Sequence, residues 1–559
     1  MLRILLKIPI VLLLLVSLNF AELRPASRAN KQLADQFFSF LEFPVFTLTI
    51  GRVAENDFIC AKAISWLPHL DDLQLSRFAW IWPDKPVRES ALLAELPRKR
   101  GPGPGWRAFF SNLAMITVST ANYWFIQQET MQVDWDYEPT WADQKKRFLG
   151  FSAWRFDNNY FRVNWTHAPA GAVYYTLARS NSLNSGQSLL YSLAVSSFWE
   201  YVSEFREVIS INDQVFTPMG GFPIGENLFQ ISEMLRAKKG GWLTDLLAWL
   251  INFPGRANNL IWGRNGKLIN PPRFADLDDQ PGHGLRLAAG WLAGGQKNER
   301  TFWLGGQSRL VTIPGYLEPG SRRQWLSGDS MSFLDFNLAL NREFSGSARV
   351  AYLGFLAQRI ELDSSESRRG LAFYLGPWSG FELSQQKYPD FSDRLSAVHL
   401  IGPLADLVLY SGDFTLQVQF AGSIHFSMIE SLALDRYKLQ NDLEGSKTPL
   451  HEHGYYFAFG PGFSSSLSFK WGGLEAGGSF RYLDFYSIQG RDRYREEISN
   501  DFPLRDRARL WRLHGSWQPS GLPFYAFISW ERFSRRSLIA EMSDHGRRDR
   551  LVAGLGHVF

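Results

Sequence analysis

Two periodicities divide this chain. From about Leu285 to Phe559 apolar and polar positions alternate with period two. Leu334, Phe336, Leu338 and Leu340 stand against Asp335, Asn337, Ala339 and Asn341. Leu416, Val418 and Phe420 stand against Thr415, Gln417 and Gln419; Phe463, Leu467, Phe469 and Trp471 stand against Ser464, Ser466, Ser468 and Lys470. Phe524, Ala526, Ile528 and Trp530 repeat the pattern. An apolar face opposite a polar one over roughly 8–11 residues is what a strand between lipid and a polar lumen requires. A bilayer offers backbone groups no water, so such strands close into a barrel. Turn signals separate them: Pro319-Gly320, Ser411-Gly412-Asp413, Gly472-Gly473 and Pro519-Ser520-Gly521. The predicted fold is mainly β: an antiparallel transmembrane barrel of about twelve strands over residues 283–559. The charged stretches Gln489 to Arg507 and Arg532 to Arg550 are expected as longer loops, as is His451-Glu452-His453.

Residues 106–266 read as a helical module, expected inside or beneath the barrel as a plug or periplasmic cap. Trp106 to Gln128 suits an amphipathic helix, and Trp154 to Trp165 alternates enough to predict a strand. Pro169 suits the first turn of a helix running to about Asn181. Asn184, with Gln187 three residues on, predicts a capped helix from Ser185 to Phe205. Two further helices are expected, one from near Pro223 to Gly240-Gly241 and one from Trp242 to Phe253, stopped by Pro254-Gly255.

The first residues add a destination. Arg3 and Lys7 precede an apolar run from Ile8 to Leu18 and then Asn19-Phe20-Ala21. This is the pattern of a secretory signal peptide over residues 1–21, and the run is shorter than the roughly 20 residues a spanning helix needs. Residues 22–105 end in a Pro/Gly-rich linker, Pro97 to Gly105. The terminal run Leu551 to Phe559 closes on an aromatic residue, so Phe559 is expected to serve as an outer-membrane assembly signal. The location expected is the outer membrane, and the expected partners are outer-membrane lipid, the barrel-assembly machinery and lipopolysaccharide.

Composition narrows the function. Of 559 residues, 59 are Lys or Arg and 55 Asp or Glu, a formal charge of +4, without the concentrated basic face of a nucleic-acid binder. Aromatics reach 15%, and mean hydropathy is −0.19, which excludes a bundle of spanning helices. One cysteine, Cys60, excludes a disulfide framework, and no metal site or cofactor is expected. No Gly-x-Ser-x-Gly, Walker or His-Glu-x-x-His string occurs.

What stands out are polar residues inside the helices: His167, Tyr174, Arg179, Asn181, Glu200, Glu204, Ser210, Asn212 and Asp213. His167, Gly171 and Tyr174 share a stripe, and Glu200 and Glu204 lie one turn apart. Two such carboxylates coexist if one is protonated or a cation sits between them. Gly220, Gly221 and Gly225, with Gly171, are expected to let backbones approach closely. As a set these polar groups predict a mutually satisfied network that locks helices onto a barrel. The alternative is a site for an envelope lipid-modifying hydrolase or transferase, with His167 as general base oriented by Glu200 or Glu204.

The ordered strings Asn164 to Tyr175, Ala178 to Asn181, Trp199-Glu200, Glu204, Ser210 to Asp213, Gly220-Gly221 and Gly225-Glu226 resemble the bacterial family called domain of unknown function 3943. Departures are Pro169, shifted one place from the position after the histidine, Ser182 and Gln187 where Gly and Glu are usual, and Val208-Ile209 in place of paired prolines. The resemblance implies a Gram-negative envelope protein and brings no activity or catalytic residue.

Overall fold

The computed structural model describes residues 103–127, 132–237, 241–264, 284–293, 301–311, 322–340, 345–364, 369–387, 392–488, 490–491 and 498–559. The expected signal peptide and nearly all of the 22–105 segment lie outside them. We number strands β1–β14 and helices α1–α10 in chain order.

The twelve strands β3 (Gly284–Ala293), β4 (Thr301–Val311), β5 (Arg322–Leu340), β6 (Ser345–Ser364), β7 (Arg369–Lys387), β8 (Ser392–Ser411), β9 (Phe414–Glu430), β10 (Tyr455–Trp471), β11 (Leu474–Ser487), β12 (Leu504–Trp517), β13 (Phe524–Ile539) and β14 (Met542–Val558) form one closed antiparallel barrel. It closes where β14 pairs with β3, Leu555 opposite Ala289. The period-two alternation sorts its faces. Phe420, Ile424, Phe463, Leu467, Phe469, Trp471, Ile528 and Leu555 are large, apolar and exposed on the outer wall. Their neighbours Gln417, Glu531 and Ser464 point inward, where Gln417 donates to Asp406 and Ser464 accepts from Arg349. An exposed apolar belt around a closed strand cylinder is a lipid-facing surface.

The charged run Arg532 to Arg550 is not a loop. It forms most of β13 and β14, joined by a turn at Ala540 and Glu541. Its charges are tolerated because they alternate: Glu531 faces Arg512 inside, while Arg532 and Asp549 pair outside. The stretch expected as a loop from Gln489 to Arg507 also enters strand β12 from Leu504 onward. His451 to His453 likewise fall in a helix, α10 (Thr448–His453), after α9 (Leu434–Lys438). This β9–β10 connection covers the lumen at the end opposite Phe559. Its Leu434, Leu443 and Leu450 pack on the inward Ile429, Tyr456, Leu504 and Ile539.

The module comprises α1 (Pro104–Phe125), α2 (Trp141–Leu149), α3 (Phe161–Ser180), α4 (Ser185–Phe198), α5 (Ile211–Val215), α6 (Gly221–Ala237), α7 (Trp242–Ile251) and α8 (Phe253–Ile261). Wide π-type turns follow α4 (Trp199–Ser203) and α5 (Phe216–Gly220). Asn184 and Gln187 form a reciprocal capping box at α4. Several expectations fail, and the helix expected from Ser185 to Phe205 ends at Phe198. The strand over Trp154 to Trp165 shrinks to β1 (Trp154–Arg155), paired in parallel with β2 (Ile209–Ser210). Helix α3 begins at Phe161, so Pro169 sits inside it and withdraws one backbone donor. Packing overrides the local cost, because α3 is the central helix against which α1, α4 and α6 lie. The helix expected from Trp242 to Phe253 stops at Ile251, and Pro254, expected as its stop, lies instead in the first turn of α8.

The helices are neither inside nor beneath the barrel. Phe156, Phe161, Ala168 and Phe216 pack on Val350, Phe381, Val398, Phe426 and Phe457, and Ile231, Met234 and Leu235 on Leu285 and Leu310. By strand parity these are outward positions: Glu382, His399, His425 and Arg309, one residue along, face the lumen. The module therefore lies on the outer wall. Its contacts follow the strand ladder from Phe457, near the covered end of β10, to Leu285 and Phe559 at the opposite rim.

Candidate functional site

The polar residues of the module divide into two clusters. In the first, Asp213 Oδ1 lies 3.2 Å from His167 Nδ1. Asn212 Nδ2 donates to the same oxygen at 2.9 Å. Ser210 caps α5, its hydroxyl accepting from the Asp213 amide at 3.2 Å, and Asn212 Oδ1 accepts from the Asp157 amide at 2.8 Å. These bonds fix the Asp213 carboxylate before the histidine meets it. Glu200 is buried beside them and accepts from the Ser210 amide at 2.8 Å. The expected orientation of His167 by Glu200 or Glu204 is corrected: the short α5 turn delivers Asp213 to the ring instead.

His167, Tyr174, Ser196, Glu200, Ser119 and Thr217 line a cleft of about 360 Å3, counting its mouth. The Ser119 hydroxyl is buried there without a hydrogen-bond partner. The electrostatics favour neutral acids. Burial raises the Glu200 pKa well above the ordinary carboxylate range, and Asp213 pushes it further, against the Ser210 amide bond. Burial likewise raises Glu204, joined by Glu207 and Glu200. The Tyr174 hydroxyl is raised by burial and by Glu204.

The second cluster is separate. Arg179 holds Glu226 with two hydrogen bonds, Nε to Oε2 at 2.7 Å and Nη2 to Oε1 at 2.8 Å, while Tyr175 donates to Oε2 at 2.6 Å. Arg179 also caps the Leu183 carbonyl and lies over the Phe229 ring. Asn181 donates to the Leu177 carbonyl at 2.9 Å, and its neighbour Ser180 accepts from Asn258. Arg179 thus ties α3 to α6, Ser180 ties it to α8 and Asn181 closes the last turn of α3, all away from His167.

The glycines make both clusters possible at a particular place. A Cβ on Gly171 would stand 1.7 Å from the Thr217 carbonyl oxygen, and one on Gly221 would stand 2.4 Å from the Gly171 carbonyl carbon. Gly220 faces Ala168, and Gly225 faces the Tyr175 ring, at 2.7 Å each for the same virtual atom. Helix α3 and the turn leading into α6 therefore meet backbone to backbone.

Sequence reasoning missed Arg147. It is fully buried in α2 and donates to the carbonyls of Glu207 at 2.6 Å, Tyr201 at 2.9 Å and Glu204 at 3.0 Å, with a further bond to Glu200. It satisfies the open end of the α4 turn, where carbonyls lack helical donors. Thr140 and Asp143, a helix-start signature just upstream, were the available signal. Glu226 entered only through the family strings. His453, expected in a loop, bonds the Asn158 carbonyl at 2.7 Å and lies against Tyr160. Among the described residues no group of three or more His, Cys, Asp or Glu is placed to hold a metal.

Residues 153–253 match the model of the family described as domain of unknown function (DUF3943). That segment holds the whole His167–Asp213 cluster and the Arg179–Glu226 pair. No curated protein matches the chain. Among solved structures, OmpT of Vibrio cholerae aligns at 6% identity over 49% of this chain and 97% of its own, with a TM-score of 0.19. A FadL homologue of Pseudomonas aeruginosa aligns at 8% over 49% and 88%, with a TM-score of 0.20. OpdK of the same organism, with vanillate, aligns at 10% over 49% and 98%, with a TM-score of 0.13. By its own strand pairing the chain is a closed twelve-stranded antiparallel barrel preceded by a helical module. The barrel assignment rests on its own strand ladder and apolar belt.

Proposed function

We propose that this is an outer-membrane protein, exported by its N-terminal segment, whose barrel is an anchor closed to diffusion and whose helical module is the part presented for function. One observation carries the reading. Inward side chains join distant parts of the wall across the lumen: Arg481 pairs with Glu382, Arg286 with Glu475 and Arg512 with Asp335, and Arg349 donates to Ser464, each joining strands four or five places apart around the ring. Arg309 and Asp406 pair in the same way. The space left at the level of Arg349 and Glu382 is about 510 Å3 and is lined by these same charges. A buried ion pair with one partner removed is strongly unfavourable, so such a network keeps the wall rigid and the lumen filled. Structural anchoring fits this better than conduction. Outward arginines near the covered rim, Arg505 and Arg507 around Asp484, are suited to lipopolysaccharide phosphates. The test is single-channel recording of the purified protein in planar bilayers. No stable conductance steps are expected; steps that survive in every preparation would overturn the anchor reading.

A second reading, hydrolysis or transfer on an envelope lipid, is favoured by the His167–Asp213 pair lining a cleft beside the Ser119 hydroxyl. In it, His167 accepts a proton from an attacking water or hydroxyl while Asp213 holds the ring. Lipid mass profiles of a deletion strain complemented with His167→Ala or wild type decide it. A product restored only by the wild type, at equal protein level, supports the enzyme.

A further inference from the structure

The outward surface of the module has the polarity of a membrane protein. Helix α1 buries Asn112, Ser119 and Asn122 while exposing Phe109, Phe110 and Leu113. Helix α4 buries Ser185, Ser188, Ser192 and Ser196 while exposing Leu190 and Leu193. Ser192 donates to the Gly171 carbonyl at 3.2 Å, so the serine stripe is the packed side of α4. Helix α7 exposes Leu243, Leu246 and Leu250. Across these three helices the only ionised side chains are Arg107 and Asp245.

A helix on a water-soluble surface does the reverse. It turns its apolar stripe inward and its charges out. Small and hydroxyl-bearing residues between helices, with leucine and phenylalanine outside, are the arrangement that packing in lipid produces, because hydrocarbon does not drive apolar side chains inward. The module's position points the same way. It is seated on the outer wall of the barrel from rim to rim, so its own outer face continues the belt formed by Phe463, Leu467 and Phe469. No helix among the described residues is long and apolar enough to cross a membrane alone. The barrel carries the module into the membrane sideways.

We propose that the outward faces of α1, α4 and α7 are immersed in bilayer hydrocarbon alongside the barrel, with lipid acyl chains as their partner. The inference rests on the barrel spanning a membrane. It extends that reading from the strands to the helices.

Site-directed spin labelling tests it. With Cys60→Ser as background, single labels are placed at Phe110→Cys, Leu193→Cys and Leu246→Cys in the full chain reconstituted in phosphatidylcholine vesicles. Leu467→Cys on the barrel belt and Ser520→Cys in the β12–β13 turn are references. The module labels are expected to relax readily with oxygen, which partitions into lipid, and to resist a water-soluble nickel chelate, as the Leu467 label does. Nickel accessibility matching the Ser520 label would overturn the proposal. So would protection from both reagents with spin–spin broadening, which would mean a second copy of the chain covers this face. A nickel-accessible label at Leu467 itself would overturn the membrane reading of the barrel, and the proposal with it.

Discussion

Asp213 Oδ1 stands 3.2 Å from Nδ1 of His167 and accepts a second hydrogen bond from Asn212 Nδ2. The pair is buried, and its acceptor is fixed by the Ser210-capped turn rather than by the neighbouring glutamates. Asp213→Asn should therefore loosen the α5 turn by about 1–3 kcal/mol, since partners in a buried network are left unsatisfied. Limited proteolysis of the folded protein measures this. Unchanged resistance in both Asp213→Asn and His167→Ala, with a lost phenotype, would favour the catalytic reading.

The Arg179–Glu226 pair should matter more. Both side chains are nearly inaccessible, with 3% and 0% of their surface exposed. Replacing Arg179 by leucine leaves the Glu226 carboxylate without its counter-charge, a loss of about 3–5 kcal/mol for a buried pair. The same proteolysis assay should rank Arg179→Leu below Asp213→Asn. Tyr175 and the Gln230 side-chain amide also donate to Glu226, and an equal or smaller effect would show that these two suffice to hold it.

Gly221→Ala probes the backbone contact between α3 and the turn into α6. The added methyl would lie 2.4 Å from the Gly171 carbonyl carbon, so one of the two backbones must shift. Overpacking of this kind typically destabilises by about 1–3 kcal/mol. The barrel should remain folded and resistant to SDS while the module becomes protease-sensitive. Wild-type resistance would mean that the helices separate at little cost.

The pH dependence follows from Glu200 and Glu204. Both are raised in the folded protein, so the native state holds protons that the unfolded chain has released. Stability is then fully present below the ordinary carboxylate pKa and declines as pH rises through the raised values. Protease resistance of the module should fall from mildly acidic to alkaline buffer. Glu200→Gln should flatten that profile, and a profile rising with pH would contradict the assignment.

Phe559 joins the barrel to the module. Its amide donates to the Leu285 carbonyl at 2.8 Å, and its side chain packs against the cluster of Ile231, Met234 and Leu310. Deleting it should lower the yield of heat-modifiable, folded protein in the membrane far more than shortening the β12–β13 turn at Ser520. Equal yields would remove the C-terminal residue from barrel assembly.

Several features were legible in the residues alone. Alternation at Leu416 to Phe420 or Phe463 to Trp471 needs no tertiary information, because a strand's side chains point to opposite faces in strict turn. The capping box at Asn184 and Gln187 is equally local. The same alternation, correctly weighed, also places Arg532 to Arg550 in strands. Charge density alone suggested a loop, but inside the barrel Arg535 meets Asp506 on β12, and outside it Arg532 pairs with Asp549 across the hairpin.

What only the tertiary structure decided is which way the helices face. Periodicity shows that Leu190 and Leu193 share a side of α4 and that Ser188, Ser192 and Ser196 share another. It does not say which side meets protein, since that depends on whether the surroundings are water or hydrocarbon. The position of Pro169 was settled in the same way, by the packing around α3. So was the partner of His167: 46 residues separate it from Asp213, and the wide turn after α4, with the glycine contact between α3 and the turn into α6, brings them together. Short-range rules report the period of a face and the chemistry at its ends. The medium outside that face, and the contacts between distant segments, exist only once the barrel wall is there to hold them.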